Sequence, residues 1–343
     1  MSTQTPVTPK YIPEIPDLPE VQLRGFCGES DYPKMVAVIN ASKVADQIER
    51  SDTVETLRNA YSHLHNCDPY QEMLFAEVEG QVVGYIRCWW DVESANNWLG
   101  WHVSFLHPDW RNAGIDTAFL HFSENRLRKI ADGLRGSEHL PDDRRCYFTT
   151  TAHKTEVSRA ALLEREEYQA VRWEYMMVRS DLENIPKAPL PAGLDVRPVR
   201  PEHLRAIYDA NVEAFQDHWG YIPPSDQDFD EWVNHPEFDA SHYQVAWDGD
   251  QVAGMVLAFI SPQENEEYQR KRGWTEGICV RRPYRRQGLA RALLVRSLHD
   301  LKASGMEEAA LTVDTQNLNS AFRLYESVGF RPYNSFAFYR KEF

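Results

Sequence analysis

This sequence is poor in cysteine, and its positive charges are outnumbered by negative ones. Five cysteines are scattered through 343 residues: Cys27, Cys67, Cys88, Cys146 and Cys279. Their odd number and the lack of any CxxC pair argue against a disulfide framework or a zinc ribbon, so buried, reduced thiols and no metal are expected. No stretch approaches the roughly 20 apolar residues that span a bilayer. The opening MSTQTPVTPKYIPEIPDLPE has neither the basic segment nor the apolar core of a secretion signal. A cytoplasmic protein without a membrane partner is expected. Lysine and arginine total 37 against 52 acidic residues, a formal charge of −15. A field of that sign repels phosphate backbones and draws cations, which argues against nucleic acid and for a cationic amine as partner.

What the chain does have is enough apolar material for sizeable cores, 42% hydrophobic residues with 12% aromatics, on a length that suits two domains. The stretch DLENIPKAPLPAGL carries three prolines and a glycine after the strand-like run YMMVRS, and reads as a linker. The expected layout is a flexible arm over 1–20, a first domain over 21–182, a linker over 183–193 and a second domain over 194–343. The same order of elements recurs on both sides: paired helices, a hairpin, a strand running into a glycine turn, a long helix, a strand, a short helix and closing strands. An internal duplication accounts for this most simply.

Alternation around Glu79-Gly80 predicts a hairpin of Leu74–Val78 with Val82–Trp89, and alternation around Asp248-Gly249 one of Gln244–Trp247 with Val252–Ile260. Helical periodicity follows over Ile115–Leu134 and Leu289–Ser304. Strands are expected at Cys146–Thr151 and Ala309–Val313, and a last one over Ser335–Arg340 at either an edge or a central position.

The chemistry concentrates in the second half. Arg285-Arg286-Gln287-Gly288-Leu289-Ala290 sits where a strand ends and a helix begins, with small residues at two positions that must approach a ligand closely. Such a turn aims helix-terminal N–H groups and the positive end of the helix dipole at one point, which suits a pyrophosphate. Downstream, VDTQNLNSAFRLYESVGF places an asparagine-rich turn and a helix bearing Leu324-Tyr325 ahead of Gly329-Phe330.

On these two motifs, in this order, the segment Gly193–Phe343 resembles the GNAT superfamily of acyltransferases. The duplicated layout, the stretch AFQDHWGY and the charged hairpin AWDGDQVAG look most like the tandem-GNAT group that includes mycothiol synthase. The resemblance implies an α/β (α+β) fold of two tandem domains, each a mixed, mostly antiparallel sheet flanked by helices. It also implies that acetyl-CoA is the co-substrate, held by Cys279, Val280, Arg285, Arg286, Gln287, Gly288, Leu289, Ala290, Asn317 and Tyr325. In the family the Val280 position supplies a backbone N–H to the oxyanion.

Attack of an amine on a thioester needs a neutral amine, a stabilised oxyanion and a protonated thiolate. Strand alternation puts Glu276, Ile278 and Val280 on one face, with Glu276 placed to act as base. Tyr325 is the expected acid. Alternation sends the Cys279 side chain to the opposite face, so it is read as core and not as an acyl-carrying nucleophile. Asn317, preferred over Asn319, fits a CoA contact in the turn before the last helix. Asp217, His218, Trp219 and Tyr221 offer a carboxylate and rings for a cationic acceptor; Phe215 and Trp219, at i and i+4, equally fit one core stripe of a helix.

The first half serves as a control. Its corresponding turn, Arg111-Asn112-Ala113-Gly114-Ile115-Asp116, brings an aspartate to the phosphate position, with His102 where Glu276 stands and Leu163 where Tyr325 stands. A degenerate, non-catalytic domain is expected. The reading is transfer of an acetyl group to a primary amine of a small molecule in a ternary complex, by a monomer or homodimer. A protein N-acetyltransferase and a silent acyl-CoA-binding protein are the alternatives.

Overall fold

The computed structural model describes residues 18–314 and 321–343. The expected arm therefore falls almost wholly outside the described residues, as do Asn317 and Asn319. In chain order the first elements are β1 (Val21–Arg24), α1 (Tyr32–Asp46), α2 (Val54–Ser62), α3 (Pro69–Glu72), β2 (Met73–Val78), β3 (Gln81–Val92), β4 (Trp98–Leu106), α4 (Ile115–Leu134), β5 (Cys146–His153), α5 (Val157–Arg165) and β6 (Gln169–Arg179). They continue with β7 (Asp195–Val196), α6 (Leu204–Phe215), α7 (Asp226–Val233), β8 (Gln244–Asp248), β9 (Gln251–Phe259), α8 (Pro262–Glu267), β10 (Arg272–Val280), α9 (Leu289–Ala303), β11 (Glu308–Asp314), α10 (Arg323–Ser327) and β12 (Arg331–Glu342). Both hairpins and both long helices form where the pattern puts them. Among the described residues no helix is long and apolar enough to cross a membrane.

The chain divides into two compact units, one of residues Met1–Val171 with Ala337–Phe343, the other of Arg172–Phe336. This differs from a division at the 183–193 linker, because each sheet is closed by a strand from the other half of the sequence. In the first unit the order is β1-β2-β3-β4-β5 and then the end of β12; in the second it is β6-β11-β10-β9-β8-β7. Within each, β4–β5 and β10–β11 run parallel while the other described pairs are antiparallel.

Packing explains why the end of β12 belongs to the first unit. Ala337 and Tyr339 join a core with Trp98, Leu127 and Phe148, and Phe343 stacks on Phe148 with centroids 3.9 Å apart. Arg340 donates to both oxygens of Glu93 at 3.1 and 2.8 Å, an ion pair almost without solvent. In the second unit β6 pairs with β11 from Arg179↔Ala309 to Glu174↔Asp314. Its inward Met177 enters the core beneath α9 with Leu298 and Phe330.

One strand departs from strict alternation. Glu276 faces Leu257 across the ladder, but Cys279 faces Met255, so Gly277 and Ile278 together oppose Val256 alone. This is a β-bulge, made accessible by Gly277 at φ +55, where a Cβ would meet Leu257 at 2.8 Å. The extra residue reverses the period. Cys279 packs with Met255 on the α6 side, while Ile278 and Val280 pack with Leu289 and Leu293 of α9. The expected grouping of Glu276, Ile278 and Val280 on one face is thereby corrected: Glu276 shares its face with Cys279.

Replacing Arg340 by alanine strands the buried Glu93 carboxylate and removes a strand-closing contact. We expect a loss of about 3 kcal/mol in unfolding free energy, read as a lowered urea midpoint.

Candidate active site

The parallel strands β10 and β11 pair only from Arg272↔Glu308 to Trp274↔Ala310. Beyond that point side chains bridge the widening gap: Thr275 Oγ1 donates to Ala310 O at 3.1 Å, and the Thr312 N–H donates to Glu276 Oε1 at 3.0 Å. Burial pushes the Glu276 carboxyl up to about 7, against the lowering effect of the Thr312 bonds, and the nearby Glu174 carboxylate adds to the rise. A carboxyl so placed exchanges its proton near neutral pH.

The bulge also aims a backbone donor into the gap. Arg281 N–H bonds Ala253 O at 3.0 Å on the β9 side, which makes Val280 and Gly254 the non-bonded pair of the ladder. The Val280 N–H therefore points away from β9, toward the side that β11 has vacated. The Val280 carbonyl, on the same side, accepts from Arg285 Nε at 3.0 Å.

A cleft of about 540 Å³ opens here, lined by Ile278, Cys279 and Val280 of β10, Arg285 and Ala290 of the turn, and Ala321, Leu324 and Tyr325 around α10. Its other wall is Ala214 and the segment Asp217, His218 and Trp219 after α6, with Arg172 and Asp314. Tyr325 is buried, 7% exposed, and burial raises its phenol above the ordinary value, with the Glu276 charge adding to the rise. It is a fully protonated donor at neutral pH.

The turn into α9 takes the shape that the motif requires. Arg286 and Gly288 both adopt positive φ, +64° and +82°, and Gly288 caps the helix. The first N–H groups of α9 then lack intrahelical partners and face outward, where they would hold the diphosphate of a bound CoA. Nothing lies within 4 Å of where a Gly288 Cβ would stand, which leaves the approach to those donors open.

Of the residues singled out in sequence, the cleft wall gathers Asp217, His218, Trp219, Cys279, Val280, Arg285, Ala290 and Tyr325. Arg286, Gln287, Gly288 and Leu289 form the turn beside it, Glu276 sits in the strand gap, and Tyr221 is not on the wall. Asp217 is already engaged by Arg282, whose Nη2 lies 2.7 Å from both of its oxygens. Because α6 ends at Phe215, Trp219 is not one stripe with it: Phe215 packs on the core, and the Trp219 ring carries the Arg172 guanidinium 5.3 Å from its centroid. Arg172, whose Nε bonds Asp314 Oδ1 at 2.8 Å, was not anticipated. Its strand precedes the linker, and only strand exchange brings it here.

The first unit repeats the backbone of this turn with different side chains around it. Asn112 and Gly114 repeat the positive φ values, +60° and +95°. The cation of that turn, Arg111, is however tied to Asp46 at 2.6 Å, and the adjoining cavity is about 60 Å³, far too small for a nucleotide tail. Strand β4 pairs with β3 through His102 without a register shift. His102 is buried, its Nε2 lying 3.1 Å from the Tyr168 hydroxyl, and burial drives its proton affinity well below the ordinary value. Leu163 is core.

The model of the acetyltransferase (GNAT) family matches residues 37–140 and 204–330, once in each half. The chain belongs to this family. It is 25% identical over 330 residues to a mycothiol acetyltransferase of Salinispora tropica, covering 91% of this chain and 97% of that protein. It is also 32% identical over 156 residues to one from Streptomyces scabiei, covering 45% of this chain and 48% of that protein. The fold matches a GCN5-related N-acetyltransferase from Sphaerobacter thermophilus with a TM-score of 0.69 at 23% identity, covering 97% of each chain. It also matches a tandem GNAT protein from the clavulanic acid biosynthesis pathway, with a TM-score of 0.65 at 15% identity over 94% of this chain and 98% of that one. The chain is thus a tandem-GNAT protein resembling mycothiol synthase.

All five cysteines are free, Cys88, Cys146 and Cys279 buried, Cys27 and Cys67 half-buried. Burial pushes the Cys279 thiol up to about 12, which leaves almost no thiolate at neutral pH. We expect Cys279→Ala to keep turnover within about threefold, and iodoacetamide at pH 8 to leave the folded protein's Cys279 unlabelled by mass spectrometry.

Proposed function

We propose that the second unit transfers an acetyl group from acetyl-CoA to a primary amine of a small molecule by direct attack in a ternary complex. The observation that carries this reading is the gap between β10 and β11, where a carboxyl titrating near neutrality, a backbone N–H turned away from its ladder and a buried phenol converge. Bound acetyl-CoA would supply the activated thioester. Arg285, Arg286 and the N–H groups of Gln287 through Ala290 are the residues that would hold its diphosphate, with Cys279, Val280 and Tyr325 along its arm. Asn317 is proposed to join them.

Glu276 would take the ammonium proton, directly or through water, and leave a neutral nucleophile. The Val280 N–H would stabilise the oxyanion that develops on the carbonyl. Tyr325 would return a proton to the departing sulfur. His218, Trp219 and Tyr221 are proposed for the acceptor side, with Asp217 acting there through its pair with Arg282. Relatives named for mycothiol acetylation support a small-molecule acceptor. A location in the cytoplasm fits that role.

The base form of Glu276 exists above its titration point, so kcat/KM should rise with pH through about 7 and level off above it. In Glu276→Gln that limb should vanish and the plateau fall about a hundredfold. Tyr325→Phe should lower kcat by a similar factor while acetyl-CoA affinity, read by calorimetry, stays unchanged. Turnover equal to the parent in both variants would overturn both assignments, and acetyl-CoA binding with no turnover of any amine by the parent would instead identify a silent acyl-CoA binder.

A further inference from the structure

We infer that Glu174 is a positioning residue for the base: a second carboxylate, fixed by strand pairing opposite Asp314 and one pleat from the Thr312 amide that holds Glu276, it strengthens Glu276 as a proton acceptor. This rests on the proposed role of Glu276 and deepens it.

Strand geometry carries the inference. On β6 the residues Tyr175 and Met177 turn to the core beneath α9, so Arg172, Glu174 and Met176 share the other face. Their partners on β11 are Asp314 for Glu174 and Thr312 for Met176. The Thr312 N–H holds Glu276 Oε1 at 3.0 Å, which places that carboxyl about 7 Å along the strand from the Glu174–Asp314 pair.

Two carboxylates directly opposite one another across strands are destabilising. Among the described residues the cation beside them is Arg172, and its Nε is on Asp314 Oδ1 at 2.8 Å. The Glu174 carboxyl accepts no side-chain or backbone hydrogen bond from another described residue. Such an arrangement costs stability and is explained by its effect on a neighbour. A negative charge beside Glu276 disfavours the ionised carboxylate there, so the base holds an abstracted proton more tightly. The Glu174 carboxyl is itself raised, first by burial and then by Asp314.

Among the described residues, the charged and titratable groups around the Glu276 carboxyl are Glu174 and Arg172 from β6, Asp314 from β11, Tyr325 from α10 and Cys279 from its own strand. His218 and Arg285 stand farther out on the cleft wall. Of these, Glu174 is the acid whose charge acts on Glu276 without a cation bonded to it among the described residues.

The test is the pH dependence of kcat/KM for acetyl transfer to a screened primary amine, in the full chain. Glu174→Gln should move the acid limb down by about one pH unit and lower the plateau severalfold, with acetyl-CoA affinity unchanged. Glu174→Asp should return the limb toward the parent position. Glu174→Ser removes the same charge with a smaller side chain and gives the same reading if the glutamine variant does not fold. A limb that stays in place in the folded neutral variants overturns the inference. A limb that persists in Glu276→Gln overturns the base assignment itself, so the two failures are distinguishable.

Discussion

The divergence of β10 from β11 is the constraint on which the second unit depends. Two parallel strands that stop pairing leave main-chain donors and acceptors that must be satisfied or used. Here the Thr312 amide is satisfied by Glu276 and the Val280 carbonyl by Arg285, while the Val280 N–H faces the gap. The bulge at Gly277 makes this possible by inserting one residue, so that the strand after it presents a different face and a different pair of backbone groups. The carboxyl and the donor thus both turn to the gap, although strict alternation predicts a different grouping along the strand.

The first unit shows what the fold is without that feature. Its β4 pairs with β3 through the equivalent region without interruption, its histidine is sealed against a tyrosine, and the arginine of its turn is paired with Asp46 at the end of α1. The backbone of the turn is the same because a left-handed residue and a left-handed glycine suffice to make it. Its surroundings differ, because the arginine is paired with Asp46 and the adjoining cavity is about 60 Å³. Shape and chemistry have separated between two copies of one architecture.

Much of this was legible in sequence where the signal is local. The two hairpins, the long helices and the turn before α9 follow from alternation, periodicity and glycine placement. The place of Trp219 was open in sequence, on a pocket wall or in one helix stripe with Phe215, and the end of α6 at Phe215 decides it. The parity of Ile278 and Cys279 was misread because a bulge is one residue long and Gly277 alone marks it. Arg172 and Glu174 were invisible for a different reason: they lie ahead of the linker, and only pairing with β11, 142 residues downstream for the Arg172–Asp314 bond, assigns them to the second unit. Strand exchange leaves no local trace, since each strand's own pattern is the same whichever sheet it joins.

The central claim is that one cradle, at the start of α9, binds acetyl-CoA. Calorimetric titration of the full chain with acetyl-CoA, repeated on Gly288→Asp, tests it most directly, because the substitution puts a carboxylate on a left-handed residue at the mouth of the cradle. The account predicts one site per chain and its loss in the variant. Two sites, or a single site that survives Gly288→Asp, would contradict it.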